Sequence, residues 1–191
     1  MSRRPVHDRL RVFLALELPE VVVDALRGWS DRHLDRGRRV DTFHVTLAFL
    51  GHRPRSELDS VLGALRESAA ETAPFTLAPV RYRETRSVGM LVLDDPSGEA
   101  AGLAERVQTR LERLGVYRRE ARPWLPHVTV LRFRERPRLS PPLPGIEPFA
   151  PSGAAAFLSR LRRSGAHYEV IESCSLNVQP GNRSKEVESG G

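Results

Sequence analysis

The chain is poor in cysteine and lacks any long hydrophobic run. Cys174 is its only cysteine in 191 residues, which excludes an intrachain disulfide and any zinc site built on several cysteines. A reducing, cytoplasmic location is therefore expected. No apolar stretch approaches the roughly 20 residues of a transmembrane helix, so no membrane association is expected. Residues 1–20 superficially resemble a secretory signal, but their apolar part is short, contains Glu17 and alternates like a strand, which argues against one.

Lysine is almost absent as well, although the chain is basic. Its formal net charge of +6 comes from arginine, since Lys185 is the one lysine. A planar guanidinium donates two parallel hydrogen bonds to a phosphate, so this composition favours a phosphate-bearing partner. A solvated basic surface explains the charge equally well at this stage. The 40% hydrophobic and 28% charged contents are ordinary for a globular protein.

The same order of elements occurs twice along the chain. An alternating strand ("VFLALEL", 12–18) is followed by a helical stripe over 22–29, a loop, and the strand "FHVTLAFLG" (43–51). In the second half, "GMLVLDDP" (89–96) is followed by a helical stripe over 103–114, a loop, and "PHVTVLRF" (126–133). This order predicts an internal duplication with two similar lobes.

The remaining segments complete one domain. A helix is predicted over 58–65, a strand over 75–82, and a hairpin around "RRSGA" (162–166). Residues 180–191 have no apolar periodicity and are predicted to form a disordered tail. We therefore expect a single bilobal domain over residues 1–179.

The His-Val-Thr motifs place polar groups on one face of each strand. His44 and Thr46 share a face, because side chains alternate along a strand. The opposite face of that strand is all apolar and is predicted to be buried; it carries Phe43, Val45, Leu47 and Phe49. In the second copy, alternation groups His127 with Thr129, Leu131 and Phe133, and groups Val128 with Val130 and Arg132. A bulge at the strand end would be needed to turn Arg132 towards His127.

A histidine two residues before a hydroxyl is one unit of a phosphate site. The hydroxyl donates to a non-bridging oxygen, while an imidazole with a pKa of about 6.5 accepts or donates a proton. A lone copy is usually a half-buried surface pair, but two copies at matching places supply both proton transfers of phosphodiester cleavage. A metal site is disfavoured, because position i+2 is threonine and neither strand core contains a carboxylate. No metal or cofactor is therefore expected.

The two motifs and their surroundings resemble the LigT/ThpR family of RNA 2',3'-cyclic phosphodiesterases, within the two-histidine phosphoesterase superfamily. The resemblance spans residues 11–178 and includes "FHVTLAFLG", "GMLVLDD", "RPWLPHVTVLRF" and "LSRLRRSGAHYEVIESCSL". It implies a bilobal α+β fold with pseudo-twofold symmetry, in which two antiparallel sheets face a central cleft and helices lie outside. It also implies metal-independent hydrolysis of a cyclic phosphate end of RNA or a nucleotide to a 2'-phosphate. Some members join tRNA halves through a 2'-5' linkage, so tRNA fragments are candidate partners of what is expected to be a monomer.

Matching the motifs residue by residue assigns the site. The resemblance implies that His44 is the proton donor and His127 the proton acceptor, with Thr46 and Thr129 binding phosphate and Arg132 contacting substrate. The residues alone do not decide which histidine takes which role. The family often has a tryptophan shortly before the first motif, where this chain has "RRVDT" (38–42). Two alternatives stay open: an RNA-end-binding module without catalysis, and a phosphodiesterase for another small cyclic or 2'-5' phosphodiester.

Overall fold

The structure, a computed structural model, describes residues 9–162 and 165–176. This part of the chain contains eight strands and three α-helices. The strands are β1 (Arg9–Glu17), β2 (Arg38–Arg39), β3 (His44–Pro54), β4 (Ala78–Glu84), β5 (Val88–Asp94), β6 (His127–Arg132), β7 (Gly153–Arg162) and β8 (Gly165–Cys174). The helices are α1 (Glu20–His33), α2 (Leu58–Ala70) and α3 (Glu99–Arg113). The tail predicted over 180–191 lies outside the described residues. Within the described chain, no helix is long and apolar enough to cross a membrane.

The duplicated order of elements is confirmed. β1, α1 and β3 in the first half correspond to β5, α3 and β6 in the second, and each half ends on a His-Val-Thr strand. The predicted C-terminal hairpin is present too, because β7 and β8 pair antiparallel. Their paired residues run from Ala154 with Cys174 to Arg162 with Gly165.

All strands belong to one antiparallel sheet with the order β4-β5-β6-β3-β1-β7-β8, and β2 pairs with β6. The two motif strands lie next to each other at its centre, where Val45 of β3 pairs with Val128 of β6. The α+β fold with two related halves is therefore as expected. The two sheets implied by the resemblance are joined through this valine pair into one.

Burial of apolar side chains explains why the helices cover one face of the sheet. The apolar residues of the central strands form one cluster with the buried stripes of the helices, such as Leu26 and Trp29 of α1, Leu65 of α2 and Leu103 of α3. The strand residues in this cluster include Leu14, Leu16, Val45, Leu47, Leu91, Leu93, Val128 and Val130. His44, Thr46, His127 and Thr129 are outside it and stay partly exposed. The polar face of both motifs is thus the face that the helices leave open.

Both motif strands carry a β-bulge at the residue that follows the threonine. Against β1, Thr46 pairs with Ala15 and Ala48 with Leu14, which leaves Leu47 as the extra residue. Against β5, Thr129 pairs with Met90 and Leu131 with Gly89, so that Val130 is extra. A bulge resets the alternation of side chains between the two faces of the sheet.

Two predictions of side-chain placement are wrong for this reason. Phe49 was expected in the buried row, but the bulge at Leu47 turns it to the open face, where it is 48% exposed. Leu131 was expected beside His127, but the bulge at Val130 turns it into the core, where it is fully buried.

Candidate active site

The pair Val45–Val128 brings the two motifs together. Both valines are buried, at 0% and 1% exposure, so the flanking histidines and threonines point to the open face. Antiparallel register about this pair sets His44 opposite Thr129 and His127 opposite Thr46. The two histidines are then diagonal neighbours, for which regular strands give a separation of about 7–8 Å. Four of the predicted site residues therefore form one cluster.

His44 lies against a cluster of aromatic rings. The distances from the centre of its ring are 4.9 Å to Phe13, 5.5 Å to Tyr168 and 6.0 Å to Phe157. These residues come from β1, β8 and β7, so the C-terminal hairpin, which is distant in sequence, completes the surroundings of His44. The rings cover part of the imidazole and fix its orientation, while the side chain keeps some contact with solvent.

The pKa of His44 is lowered from 6.5 to about 4. Burial against the aromatic rings is the largest cause, because it removes the solvation of the imidazolium. The positive charges of Arg132 and His127 act in the same direction. His44 is therefore neutral at pH 7 in the free protein. The effect of both charges also places Arg132 and His127 within electrostatic range of His44.

His127 is held by a hydrogen bond to the backbone. Its Nδ1 nitrogen lies 2.8 Å from the carbonyl oxygen of Leu125. A carbonyl oxygen only accepts, so Nδ1 carries the hydrogen and donates it. In neutral His127 the lone pair is then on Nε2, the nitrogen available to take a proton.

Arg132 occupies the open face of the sheet. Simple alternation groups it with buried Val128 and Val130, but the bulge at Val130 reverses this, and its side chain is exposed. Its effect on the pKa of His44 places its charge near the first motif. Its side chain makes no hydrogen bond or ion pair with another described residue, so its guanidinium is available to an anion.

Trp124 is a site residue that the sequence interpretation missed. Its indole nitrogen donates to the backbone oxygen of Thr46 at 2.9 Å, which ties the loop before the second motif to the strand of the first. Its position in "RPWLPHVT" was the available signal, because a tryptophan so close to a motif histidine lies near the site in any fold. Phe13, Phe157 and Tyr168 were missed because they reach His44 through pairings of distant strands.

Two other histidines, His33 and His52, lie away from this cluster. His33 ends α1, and His52 lies at the far end of β3, where its backbone oxygen accepts from Arg9. Among residues 9–162 and 165–176, no three His, Cys, Asp or Glu side chains are grouped to hold a metal ion.

Comparisons with known proteins agree with this architecture. A family model described as the 2'-5' RNA ligase superfamily matches residues 15–169. A curated relative from Thermus thermophilus, named RNA 2',3'-cyclic phosphodiesterase, is 30% identical over 196 residues, which cover 90% of this chain and 93% of the relative.

Solved structures extend the likeness to the fold. The protein TT0787 of Thermus thermophilus is 29% identical with a TM-score of 0.72, over 89% of this chain and all of that one (100%). E. coli LigT complexed with 3'-AMP has a TM-score of 0.79 over 89% of this chain and 99% of LigT. At 24% identity, LigT supports the fold alone. Because the family model and the curated relative both span most of the sequence, the chain belongs to the 2'-5' RNA ligase superfamily.

Proposed function

We propose that this protein is an RNA 2',3'-cyclic phosphodiesterase that hydrolyses a terminal cyclic phosphate to a 2'-phosphate with its two His-x-Thr motifs. The observation that carries the proposal is the pairing of Val45 with Val128, which sets both motifs side by side on the open face. The name of the Thermus thermophilus relative supports the same substrate class. The chemistry assigned below to each residue uses only side chains of this chain.

Three side chains hold the phosphate. The hydroxyls of Thr46 and Thr129 donate to its non-bridging oxygens from neighbouring strands. Arg132 adds a charge-assisted hydrogen bond from the same face. All three are partly or fully exposed, so an anion reaches them from solvent. Positioned donors of this kind also stabilise the charge that develops on the oxygens in the transition state.

The two histidines carry the protons. His127 accepts a proton from water through Nε2, the nitrogen left with a lone pair by the bond from Nδ1 to Leu125. The resulting hydroxide forms a bond to phosphorus, and the bond from phosphorus to the ribose 3' oxygen breaks. His44 donates its proton to that oxygen, which leaves as the 3'-hydroxyl. One water is consumed, and a 2'-phosphate remains.

Substrate binding supplies the protonated form of His44. Its pKa of about 4 reflects burial and two nearby positive charges. A bound cyclic phosphate carries one negative charge that offsets the charge of Arg132, which raises the pKa of His44. The imidazolium that forms is then an acid placed beside the leaving oxygen.

We extend the proposal to 2'-5' ligation as a side activity of the same site. If the 5'-hydroxyl of a second RNA replaces water, attack on phosphorus with loss of the 3' oxygen leaves a 2'-5' phosphodiester. tRNA fragments ending in a cyclic phosphate and in a 5'-hydroxyl are the substrates that this reaction requires. The reaction uses the same proton acceptor and donor, and we propose that a monomer carries it out.

The test is product analysis on RNA with a cyclic phosphate end. We expect its mass to increase by one water and the product to carry a 2'-phosphate. Ala at His44 or at His127 should each lower turnover about 100-fold or more, whereas His52→Ala, a matched control at the far end of β3, should not.

Each other outcome has a distinct meaning. Binding of the RNA without any change of mass would identify a non-catalytic end-binding module. If another small cyclic or 2'-5' phosphodiester were hydrolysed faster than cyclic-phosphate RNA, the protein would be a phosphodiesterase for that substrate. Wild-type turnover in either alanine variant would disprove the assigned chemistry.

A further inference from the structure

A groove lined by five arginines adjoins the proposed site. Its volume is about 730 Å³. We call it the arginine groove. The arginines that line it are Arg36, Arg38, Arg132, Arg134 and Arg136. All five are exposed. Arg132 lines this groove at the end of β6 and is also one of the residues of the proposed phosphate site, so the groove adjoins that site.

The backbone fixes the first wall of the groove. β2 pairs with the end of β6, with Arg38 opposite Arg132. Gly37 precedes this pair with a φ of +92°, and a β-carbon there would lie 2.9 Å from the backbone oxygen of Arg132. Only glycine fits so close an approach with a positive φ. The segment bearing Arg36 and Arg38 is therefore held against β6.

A buried carboxylate fixes the second wall. Glu84 accepts hydrogen bonds from Nε of Arg136 at 3.1 Å and from the backbone nitrogens of Arg138 and Leu139 at 3.0 and 2.8 Å. Its side chain is only 2% exposed. The loop that follows β6 is thus anchored at Arg136, and this anchor limits the movement of Arg134 beside it.

The charge of this groove is only partly balanced by carboxylates. At other places arginines are fully paired with carboxylates: Arg110 with Glu67 and Glu71, and Arg119 with Glu105 and Glu112. In the groove, Glu84 pairs with Arg136, and Glu135 is the acidic residue of the lining. The side chains of Arg36, Arg132 and Arg134 have no hydrogen bond or ion pair to another described residue. A groove of unbalanced guanidinium groups attracts a ligand with several phosphates.

We propose that the arginine groove binds the phosphodiester backbone of the RNA that precedes the cyclic phosphate, so that the protein prefers a polynucleotide to a mononucleotide. This inference rests on the proposed function, since it takes Arg132 as the point where the terminal phosphate binds. Arginine contacts to phosphate are independent of base sequence. The groove therefore selects for chain length and not for a particular sequence.

Two substrates with the same reacting end test the inference. The ratio kcat/KM is measured for a 2',3'-cyclic mononucleotide and for a short RNA ending in the same cyclic nucleotide, over a range of salt concentrations. We expect a higher kcat/KM for the RNA, with an advantage that decreases as salt increases. The double substitution of Arg36 and Arg134 by alanine should reduce that advantage about tenfold or more, and lower the salt slope by about 0.7 per arginine. Hydrolysis of the mononucleotide should change by less than about twofold, because neither arginine belongs to the proposed site.

Two further double variants serve as controls. The pair Arg27→Ala and Arg122→Ala removes exposed arginines that are bound to Asp24 and Glu120 outside the groove, and should leave the RNA advantage intact. Lysine at both Arg36 and Arg134 keeps the charge and should retain the salt dependence.

The failures of the two proposals are distinguishable. Equal kcat/KM for both substrates in the wild type would overturn the groove inference and leave the proposed function standing. An equal loss of the RNA advantage in the Arg27/Arg122 control and in the groove variant would overturn it as well. So would inhibition of RNA hydrolysis by ATP that is as strong as inhibition by a product RNA. If neither substrate were hydrolysed, the proposed function would fail. Fluorescence anisotropy would then measure the affinity of a 2'-phosphate RNA for the wild type and for the groove variant. Equal affinities would refute RNA binding by the groove.

Discussion

Val45 pairs with Val128, and each is the middle residue of a His-Val-Thr motif. The two halves of the chain therefore meet at equivalent residues, as expected where a twofold axis passes between them. Because strands related in this way run antiparallel, each histidine lies opposite the threonine of the other half. The proposed phosphate site is thus composite, and neither lobe supplies a complete one.

Arg132 should control the pKa of His44. Histidine titration by NMR is expected to give a pKa of about 4 for His44 in the free wild type. Arg132→Gln removes one of the two positive charges that lower it, so the pKa should increase, while burial keeps it below 6.5. Adding inorganic phosphate to the wild type should also raise it. A pKa near 6.5 without ligand would contradict the surroundings described for this histidine.

The same shift links His44 to stability. Its folded pKa is lower than the ordinary 6.5, so the unfolded chain binds the proton first as the pH falls. The free energy of unfolding should therefore decrease between about pH 6.5 and pH 4 through this residue. His44→Gln has no proton to bind and should show a smaller decrease, measured by urea unfolding at pH 7 and pH 5. An equal decrease in both proteins would assign the pH dependence to other groups.

Trp124 should position the first motif without touching the phosphate. Trp124→Phe removes its hydrogen bond to the backbone oxygen of Thr46, which should cost about 0.5–1.5 kcal/mol of stability and lower kcat more than it changes KM. Trp29→Phe is the matched control, since its indole donates at 2.8 Å to the backbone oxygen of Pro142, away from the motifs. We expect a comparable stability loss there with unchanged kcat. Equal kcat values in the two variants would remove this role from Trp124.

The sequence predicts the fold and the two motifs because their signals are local. Period-2 alternation identifies the motif strands, and the repeated order of elements indicates the duplication. The errors begin at Leu47 and Val130, where alternation stops applying. A bulge depends on the register with the partner strand, which lies far away in sequence: β1 for the first motif and β5 for the second. Alternation alone does not decide the placement of Arg132 for the same reason.

The bulge in β3 can be tested by two phenylalanines on either side of the motif. Phe43 is 8% exposed and packs in the core, whereas Phe49 is 48% exposed and its ring lies 4.7 Å from the guanidinium of Arg11. Phe43→Ala should cost about 3–5 kcal/mol. Phe49→Ala loses a contact with Arg11 of about 0.5–1 kcal/mol together with limited burial. Chemical denaturation of both variants measures the difference. Equal costs would place Phe49 in the buried row that unbroken alternation predicts.

Glu84 should stabilise the protein at neutral pH through the loop that follows β6. Burial opposes its ionisation, but hydrogen bonds from Leu139, Arg136, Tyr82 and Arg138 outweigh burial and hold its pKa below 4.5. Glu84→Gln replaces an accepting oxygen with a donor and leaves one of these groups unpaired, which should cost about 1–3 kcal/mol. Thermal unfolding at pH 7 measures the loss. Glu120→Gln, at an exposed ion pair with Arg122, is the control and should change stability by no more than about 0.5 kcal/mol.

The pH dependence separates a charge effect at Glu84 from a change in packing. A carboxylate whose folded pKa is lowered stabilises the protein above its ordinary pKa, and this contribution is lost as the pH falls through the folded value. The wild type should therefore lose stability below about pH 4.5 through Glu84, and Glu84→Gln should not lose that part. The difference in Tm between the two proteins should be largest near pH 7 and should decrease in acid. A difference that stays constant with pH would show that the variant disturbs packing and that the charge of Glu84 contributes nothing to holding the loop.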